Sequence, residues 1–375
     1  MKIAYIVDGD PTNKRLWSGT VSYVYQSLCK VAEVECIDIS GQSKLLTLWY
    51  RLLSAVIKLF SGKKFYASFG LIKAKRDSKI VTRFLRGRDD IDYVFCAAKS
   101  GSIAFVKTDR KIIYLTDATF DGMHGYYGYL TGLCSLTVKN ANRIEKGAID
   151  NSELIICPSE WVRASVCSTY GKAEEKTVLI PFGANIDEAP TPSSGGDGEF
   201  NILFCGVEWE RKGGDVAVDA FRHLRRSHPE CKLYLVGCKP PYEITDEGIE
   251  LVGFLNKNNP EEKKRLADIY ASTSLLLLPT RAEAAGIVFA EASAHGIPSL
   301  TYNTGGVGAY VIDGENGYKL STSACAEDFA DKIVQIIEDG ELYGRLQRRS
   351  RELFFERYNW SAWLDSFLAA LENMK

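Results

Sequence analysis

Two glutamates, Glu283 and Glu291, are the side chains of this chain best placed to do chemistry. A run of four leucines precedes them, and Gly286 and Ile287 lie between them. This pattern predicts a buried strand, a loop that carries the first carboxylate and a helix that carries the second. A helix that begins at Gly286 would offer backbone amides to a phosphate. Two carboxylates beside such a site could bind the hydroxyls of a sugar nucleotide.

A basic pair, Arg211 and Lys212, follows another predicted strand that ends near Gly206. A guanidinium can bind a diphosphate through two hydrogen bonds, and an ammonium adds a compact charge. The pair could therefore stabilise the negative charge that develops on a leaving diphosphate. The alternative is two solvated residues at a helix start. Because cations at a helix start oppose the helix dipole, we favour the functional interpretation.

The length of 375 residues exceeds one ordinary hydrophobic core, so two domains are expected. Hydrophobic residues make up 46% and charged residues 25%, which is typical of a globular protein, and the net charge of −2 gives no indication of a nucleic-acid partner. The ten cysteines include no CxxC pair, which favours free thiols in a reducing compartment. The first residues are typical of a β-strand rather than a signal peptide. We therefore expect a cytoplasmic protein.

Short apolar runs alternate with helical patterns along the chain, which predicts βαβ units and parallel sheets. The predicted strands are residues 2–7, 34–38, 92–96, 111–115, 153–157, 177–180, 201–205, 231–236, 249–252, 274–278 and 298–301. The predicted helices are residues 20–31, 43–60, 71–86, 138–150, 159–169, 214–227, 260–271, 286–295, 325–338 and 340–357.

A Pro-, Ser- and Gly-rich segment in the middle of the chain is typical of a linker. The predicted organisation is an N-terminal Rossmann-like domain, the linker, a C-terminal Rossmann-like domain and a last helix that crosses back to the first domain. Their residues are 1–185, 186–199, 200–357 and 358–375.

Three segments, taken in order, resemble the nucleotide-sugar domain of the retaining GT-B glycosyltransferases of family four, the glycosyl transferases group 1. They are residues 204–206 with 211–213, residues 283–291 as an E-x7-E element, and glycines 305–306 with residues 314–317. Together they cover roughly residues 200 to 320. The resemblance implies an α/β protein of GT-B fold, with two Rossmann-like domains whose parallel sheets face a central cleft. The N-terminal domain would bind the acceptor, and the C-terminal domain would bind the nucleotide sugar.

The same resemblance implies roles for individual residues. Glu291 would bind the ribose hydroxyls of the donor, and Glu283 would bind the hydroxyls of its sugar. Gly286 and Ile287 would offer amides to phosphate or sugar oxygens. Ala285 stands where the family often has a phenylalanine, so the donor sugar stays open. Neither a metal nor another cofactor is expected.

In the first half, Gly19 and Thr20 resemble the glycine-containing loop that opens the first helix of the family and approaches the donor. The alternative is an ordinary helix cap by Ser18. Asp117 stands where the family often carries a histidine that faces the reacting carbon of the donor. A carboxylate there could stabilise positive charge on the sugar ring or orient the acceptor hydroxyl.

Asp121, His124 and Tyr126 follow closely and are candidates for the acceptor side, where a tyrosine could stack on a sugar. A lone histidine in a loop is more often incidental. Asp8 and Asp10 imitate a metal-binding DxD motif. Because they end the first strand and lack evident partner ligands, we expect no metal there.

Residues 44–88 contain twelve Lys or Arg residues and one acid. Two interpretations stay open, namely the solvated faces of two helices, or peripheral contact with an anionic membrane, such as its inner face. The apolar stretch 45–60 is interrupted by Arg51 and Lys58, so it is not predicted to span a membrane.

The expected function is a metal-independent hexosyl transfer with retention, from a nucleoside diphosphate sugar to a hydroxyl of a glycan or lipid-linked acceptor. Its expected context is synthesis of polysaccharide, lipopolysaccharide or another cell-surface glycan. Two alternatives stay open: a nucleotide-sugar epimerase of the same architecture, and a sugar-nucleotide-binding paralogue without turnover. A Rossmann dehydrogenase is disfavoured because no GxGxxG opens either half.

Overall fold

A computed structural model describes residues 1–14, 16–41, 44–193 and 200–374. The chain forms two compact units, one of Met1–Ile180 with Ser366–Lys375 and the other of Pro181–Asp365. The chain therefore passes from one unit to the other after Ile180 and returns after Asp365, whereas the predicted boundaries were 185 and 358. The end of the predicted linker, residues 194–199, lies outside the described residues.

The N-terminal unit contains a six-stranded parallel sheet in the order β2-β1-β3-β4-β5-β6. Its strands are β1 (Lys2–Val7), β2 (Glu33–Asp38), β3 (Tyr93–Ala97), β4 (Lys111–Leu115), β5 (Leu154–Cys157) and β6 (Thr177–Leu179). Its helices are α1 (Thr20–Cys29), α2 (Lys44–Ser61), α3 (Leu71–Leu85), α4 (Ser100–Ile103), α5 (Phe120–Met123), α6 (Ser135–Asn151) and α7 (Glu160–Ser168).

The central strands of this sheet are apolar because helices cover both of their faces. All four residues of β5 are buried, and the last four residues of β4 are buried as well. Helix α7 begins as expected, since the Ser159 hydroxyl accepts a hydrogen bond from the Val162 amide.

The second unit contains a six-stranded parallel sheet in the order β12-β11-β10-β7-β8-β9. Its strands are β7 (Asn201–Cys205), β8 (Lys232–Val236), β9 (Ile249–Gly253), β10 (Leu275–Leu278), β11 (Ser299–Tyr302) and β12 (Gly317–Leu320). Its helices are α8 (Trp209–Lys212), α9 (Gly214–Leu224), α10 (Pro260–Ser272), α11 (Ile287–Ala294), α12 (Ala326–Glu338) and α13 (Gly340–Glu356). The last helix, α14 (Trp360–Glu372), begins in this unit and ends in the N-terminal unit, because the units change after Asp365.

Two six-stranded parallel sheets, each with helices between its strands, confirm the predicted α/β class. Strand β12 was not predicted, and only its first residue, Gly317, had been assigned, as the end of the glycine-containing motif. Among the described helices, none combines the length and apolar character needed to cross a membrane.

Candidate functional site

The site of the second unit lies where β7 and β10 end. These strands are neighbours and pair in parallel, with Leu275 opposite Ile202 and Leu276 opposite Leu203. The loops that follow them therefore leave from the same edge of the sheet, where ligands of such sheets usually bind. The Arg281 amide joins the two loops by donating to the Arg211 carbonyl at 2.8 Å.

The structure brings Arg211, Lys212 and Glu283 together in this place. The Lys212 ammonium forms an ion pair with the Glu283 carboxylate, and Nη1 of Arg211 lies 3.7 Å from the same Oε2 atom. Arg211 also donates to the Ala282 carbonyl at 2.8 Å and to Oε1 of Glu208 at 2.7 Å. The side chains of Lys212 and Glu283 are only 10% and 12% exposed. Two cations thus converge on one nearly buried carboxylate.

The expectation that Arg211 and Lys212 open a helix is wrong. Both residues lie in the last turn of the short helix α8, and Gly213 separates them from α9. Cations are favourable at the end of a helix, so the argument from an opposed dipole does not apply. What remains in favour of a functional role is their convergence on Glu283.

Two glycines give the basic pair its position. Gly213 has a φ of 75°, and a Cβ atom there would lie 2.0 Å from the Pro279 carbonyl oxygen. A Cβ atom on Gly206 would lie 2.8 Å from Cγ of Lys212. Glycine is therefore required both for the left-handed turn and for the close passage of the lysine side chain.

The helix α11 begins beside Glu283, as predicted. Gly286 caps it in a left-handed conformation with a φ of 77°, and Ile287 is its first residue. A Cβ atom on Gly286 would lie 2.7 Å from the ring of Phe289 and 3.2 Å from Cγ of Glu283. The amide end of α11 and the Glu283 side chain are therefore adjacent, with Ala285 buried just before the cap. The role of these amides as ligands stays a prediction.

Glu291 lies one turn further along α11 and is 6% exposed. Its Oε1 atom is 2.5 Å from the Lys257 ammonium, and its Oε2 atom accepts a hydrogen bond from the Tyr270 hydroxyl at 3.3 Å. Burial raises the pKa of Tyr270 well above its usual range, so this hydroxyl stays a donor. Sequence reasoning missed both partners. The only sequence signal at Lys257 is a cation in the loop just before the Asn259 helix cap.

In the N-terminal unit, Gly19 caps α1 with a φ of 94° and makes no side-chain capping bond. Gly19, not Ser18, therefore occupies the cap position of α1. Trp17 and Ser18 have φ values of 49° and 56°. Left-handed conformations cost non-glycine residues roughly 1–3 kcal/mol each and concentrate at functional sites. Trp17 donates from Nε1 to Oδ2 of Asp117 at 3.1 Å, so this strained turn holds the Asp117 side chain.

The acceptor-side candidates lie around α5. Oδ2 of Asp121 accepts from the Thr169 hydroxyl at 3.2 Å. The His124 ring stacks on Phe120 at 5.4 Å. Tyr126 packs on Trp161, with ring centroids 5.2 Å apart. These contacts attach the segment to its own helix and to α7. Of the candidates in this unit, the structure brings together Asp117 and the turn before Gly19.

The two aspartates that follow β1 have other partners. Asp8 pairs with Lys99 at 3.3 Å. The carboxylate of Asp10 accepts from the amide and hydroxyl of Thr12, and these bonds lower its pKa. Within the described part of the chain, no group of three or more His, Cys, Asp or Glu side chains is arranged as metal ligands.

Comparison with known proteins identifies the class to which this site belongs. Residues 186–353 match the family described as Glycosyl transferases group 1. Glycogen synthase of Mycobacterium tuberculosis is 26% identical over 67% of this chain and 60% of its own length. The chain spans about half to two thirds of the curated relatives that it matches.

Solved structures show the same fold over the whole chain. Sucrose-phosphate synthase from Thermosynechococcus elongatus superposes with a TM-score of 0.72 at 17% identity, covering 100% of this chain and 99% of that one. Anabaena HepE in complex with UDP and glucose gives a TM-score of 0.64 at 16% identity, with 99% of each chain covered. Residues 186–353 thus match the group 1 glycosyl transferases, and the chain has the GT-B fold, which confirms the resemblance.

Proposed function

We propose that this protein transfers a sugar, with retention of configuration, from a nucleoside diphosphate sugar to a hydroxyl of a glycan or lipid-linked acceptor. The observation that carries the proposal is the convergence of Arg211 and Lys212 on Glu283, beside the amide end of α11. Cations and helix amides suit a diphosphate. A carboxylate next to them suits the hydroxyls of the attached sugar.

In this proposal the diphosphate displaces Glu283 from its two cations. A diphosphate carries more negative charge than one carboxylate, and it also gains the amides of Gly286 and Ile287. Arg211 and Lys212 then stabilise the charge that grows on the leaving group as the bond to the sugar breaks. Glu283, released from Lys212, accepts hydrogen bonds from the sugar hydroxyls.

Glu291 is proposed to bind the ribose. Lys257 and Tyr270 fix both of its oxygen atoms, yet each carboxylate oxygen has lone pairs for a further donor. A carboxylate whose two oxygen atoms are already fixed is pre-organised to accept from two neighbouring hydroxyls, so little side-chain entropy is lost on binding.

Asp117 is proposed to act on the acceptor side. Attack on the same face as the leaving diphosphate builds positive charge on the sugar ring, and a carboxylate held by Trp17 could stabilise that charge or orient the acceptor hydroxyl. Asp121, His124 and Tyr126 are proposed to contact the acceptor, and Gly19 with Thr20 to approach the donor.

The finer features of the proposal are a hexose donor, independence of metal, membership of family four, a cytoplasmic location and a context of glycan synthesis. The relative named as a glycogen synthase supports polysaccharide as an acceptor class. The neighbour solved with UDP and glucose supports a nucleoside diphosphate hexose as the donor.

Donor binding and transfer test the proposal together. Thermal shifts with UDP-, GDP- and ADP-sugars identify the donor, because a ligand that binds only the native state raises its apparent stability. Transfer is then measured on an acceptor extract. We expect Glu283→Gln to abolish transfer while keeping nucleotide binding, Glu291→Gln to weaken nucleotide binding, and the exposed control Glu230→Gln to change neither.

Three results would contradict the proposal. Unchanged kinetics in both site variants would refute the assigned roles. An epimerised sugar nucleotide formed without acceptor would support the epimerase. Donor binding with no transfer to any acceptor, with or without added metal, would support a binding protein.

A further inference from the structure

Helix α2 (Lys44–Ser61) leaves a wide apolar face uncovered. Seven large apolar side chains on it are each more than half exposed, and three of them, Leu45, Leu59 and Phe60, are about four-fifths exposed. At about 100° per residue, the seven fall on one arc of about 120°. They are Leu45, Leu48, Trp49, Leu52, Val56, Leu59 and Phe60, and we call them the exposed arc.

A different face of α2 attaches the helix to the N-terminal unit. Tyr50 is buried with Phe65 and Cys134, and Leu46, Leu53 and Ile57 pack against that cluster. The face that anchors the helix is therefore already filled, so the exposed arc is additional apolar surface. Contiguous apolar surface of this kind marks a site of protein or membrane interaction.

The charges of α2 select between these partners. Lys44, Arg51 and Lys58 recur at intervals of seven residues and form a basic stripe, and the helix contains no acid. On the helical wheel this stripe begins beside Leu48, at the edge of the exposed arc. A second copy docked on the same face would bring two basic stripes together, whereas an anionic surface would neutralise them.

We propose that α2 is an interfacial helix that docks this protein on an anionic phospholipid bilayer. The helix is about 27 Å long and would lie along the surface. Its exposed arc enters the boundary between headgroups and acyl chains, Trp49 takes an interfacial position, and the basic stripe contacts lipid phosphates. Three charges within the helix favour this orientation over one across the bilayer.

Vesicle flotation with the full chain tests the docking. The vesicles are phosphatidylcholine alone, or the same lipid with one third phosphatidylglycerol. We expect the wild type to float with the anionic vesicles. Leu52→Glu, or Leu59→Glu in the most exposed part of the helix, should lower the partition by about tenfold or more. Leu251→Glu, an exposed leucine of β9 in the other unit, is the matched control and should bind as wild type does.

The basic stripe is tested separately. Arg51→Gln and Lys58→Gln should each reduce binding to the anionic vesicles by about fivefold and leave binding to neutral vesicles unchanged. Equal binding of the wild type to both vesicles would refute the role of charge. No binding to either would overturn the proposal, and so would a concentration-dependent dimer that Leu52→Glu dissociates without any vesicle binding.

These measurements use no sugar donor or acceptor. Failure of the docking proposal is therefore distinct from failure of the proposed transfer. Circular dichroism and the unfolding temperature of each variant, compared with those of the wild type, show that a loss of binding reflects the surface rather than the fold.

Discussion

A buried glutamate in the N-terminal unit should make the stability of the protein depend on pH. Glu145 of α6 is 4% exposed. Burial raises its pKa from 4.5 to about 7, although hydrogen bonds from the Tyr114 hydroxyl, Ser100 and the Phe120 amide act in the opposite direction. The Tyr114 bond measures 3.0 Å. Glu145 therefore joins β4 to the start of α5, three residues beyond Asp117.

The sign of the effect follows from the direction of the shift. A carboxyl whose pKa is raised by folding keeps its proton to a higher pH in the folded state than in the unfolded state. Its contribution to stability is therefore complete below pH 4.5 and is lost as the pH rises to 7. Each pKa unit corresponds to 1.36 kcal/mol, so this shift amounts to about 3 kcal/mol in the free energy of unfolding.

Chemical unfolding at about pH 5 and about pH 8 measures this dependence. We expect Glu145→Gln to lose less stability than the wild type between the two values, by about 2–3 kcal/mol, because the amide cannot ionise. Glu175→Gln, an exposed glutamate of the same unit, should keep the wild-type dependence. If Glu145→Gln and the wild type lose equal stability, the reasoning is refuted.

Two further substitutions test the contacts around the candidate site. Lys257→Met leaves Glu291 buried without its cation and should lower the free energy of unfolding by about 2 kcal/mol. The control Lys263→Met breaks an exposed pair and should cost less than about 1 kcal/mol in the same urea titration; equal losses would contradict the difference in burial. Trp17→Phe removes the hydrogen bond to Asp117, the carboxylate proposed for the acceptor side, and should lower kcat about tenfold. The thermal shift produced by the sugar nucleotide should stay unchanged. A wild-type kcat would contradict that role.

Most of the fold could be predicted because its central strands are buried on both faces. A short apolar run between two helical patterns, such as the four leucines of β10, predicts a buried strand of a parallel sheet. Strand β12 (Gly317–Leu320) was missed because it lacks such burial. It lies at the edge of its sheet, and only its glycine is fully buried. A short, half-exposed strand leaves little hydrophobic signal.

The candidate site was predictable in its residues but not in its contacts. Glu283 and Lys212 are 71 positions apart, and only the order of the sheet, which places β10 beside β7, brings them together. The strained turn at Trp17 was equally hidden, because nothing in the residue type indicates a left-handed conformation. Local pattern gave α11 and its glycine cap, whereas pairing across the sheet depends on the whole unit.

The ion pairs of the second unit suggest why its two glutamates are so differently placed. Arg211 and Glu283 lie 3.7 Å apart, which corresponds to a Coulomb attraction of about 4 kcal/mol at an effective dielectric constant of 20. In the proposed reaction the two cations lose their attraction to Glu283 and gain a larger attraction to the diphosphate. The exchange of partners therefore costs little net free energy. Glu291 has its cation from Lys257, outside the basic pair, and would keep it throughout. One carboxylate is thus released only when the diphosphate is present, which couples recognition of the sugar to recognition of its leaving group, while the other stays fixed for the nucleoside.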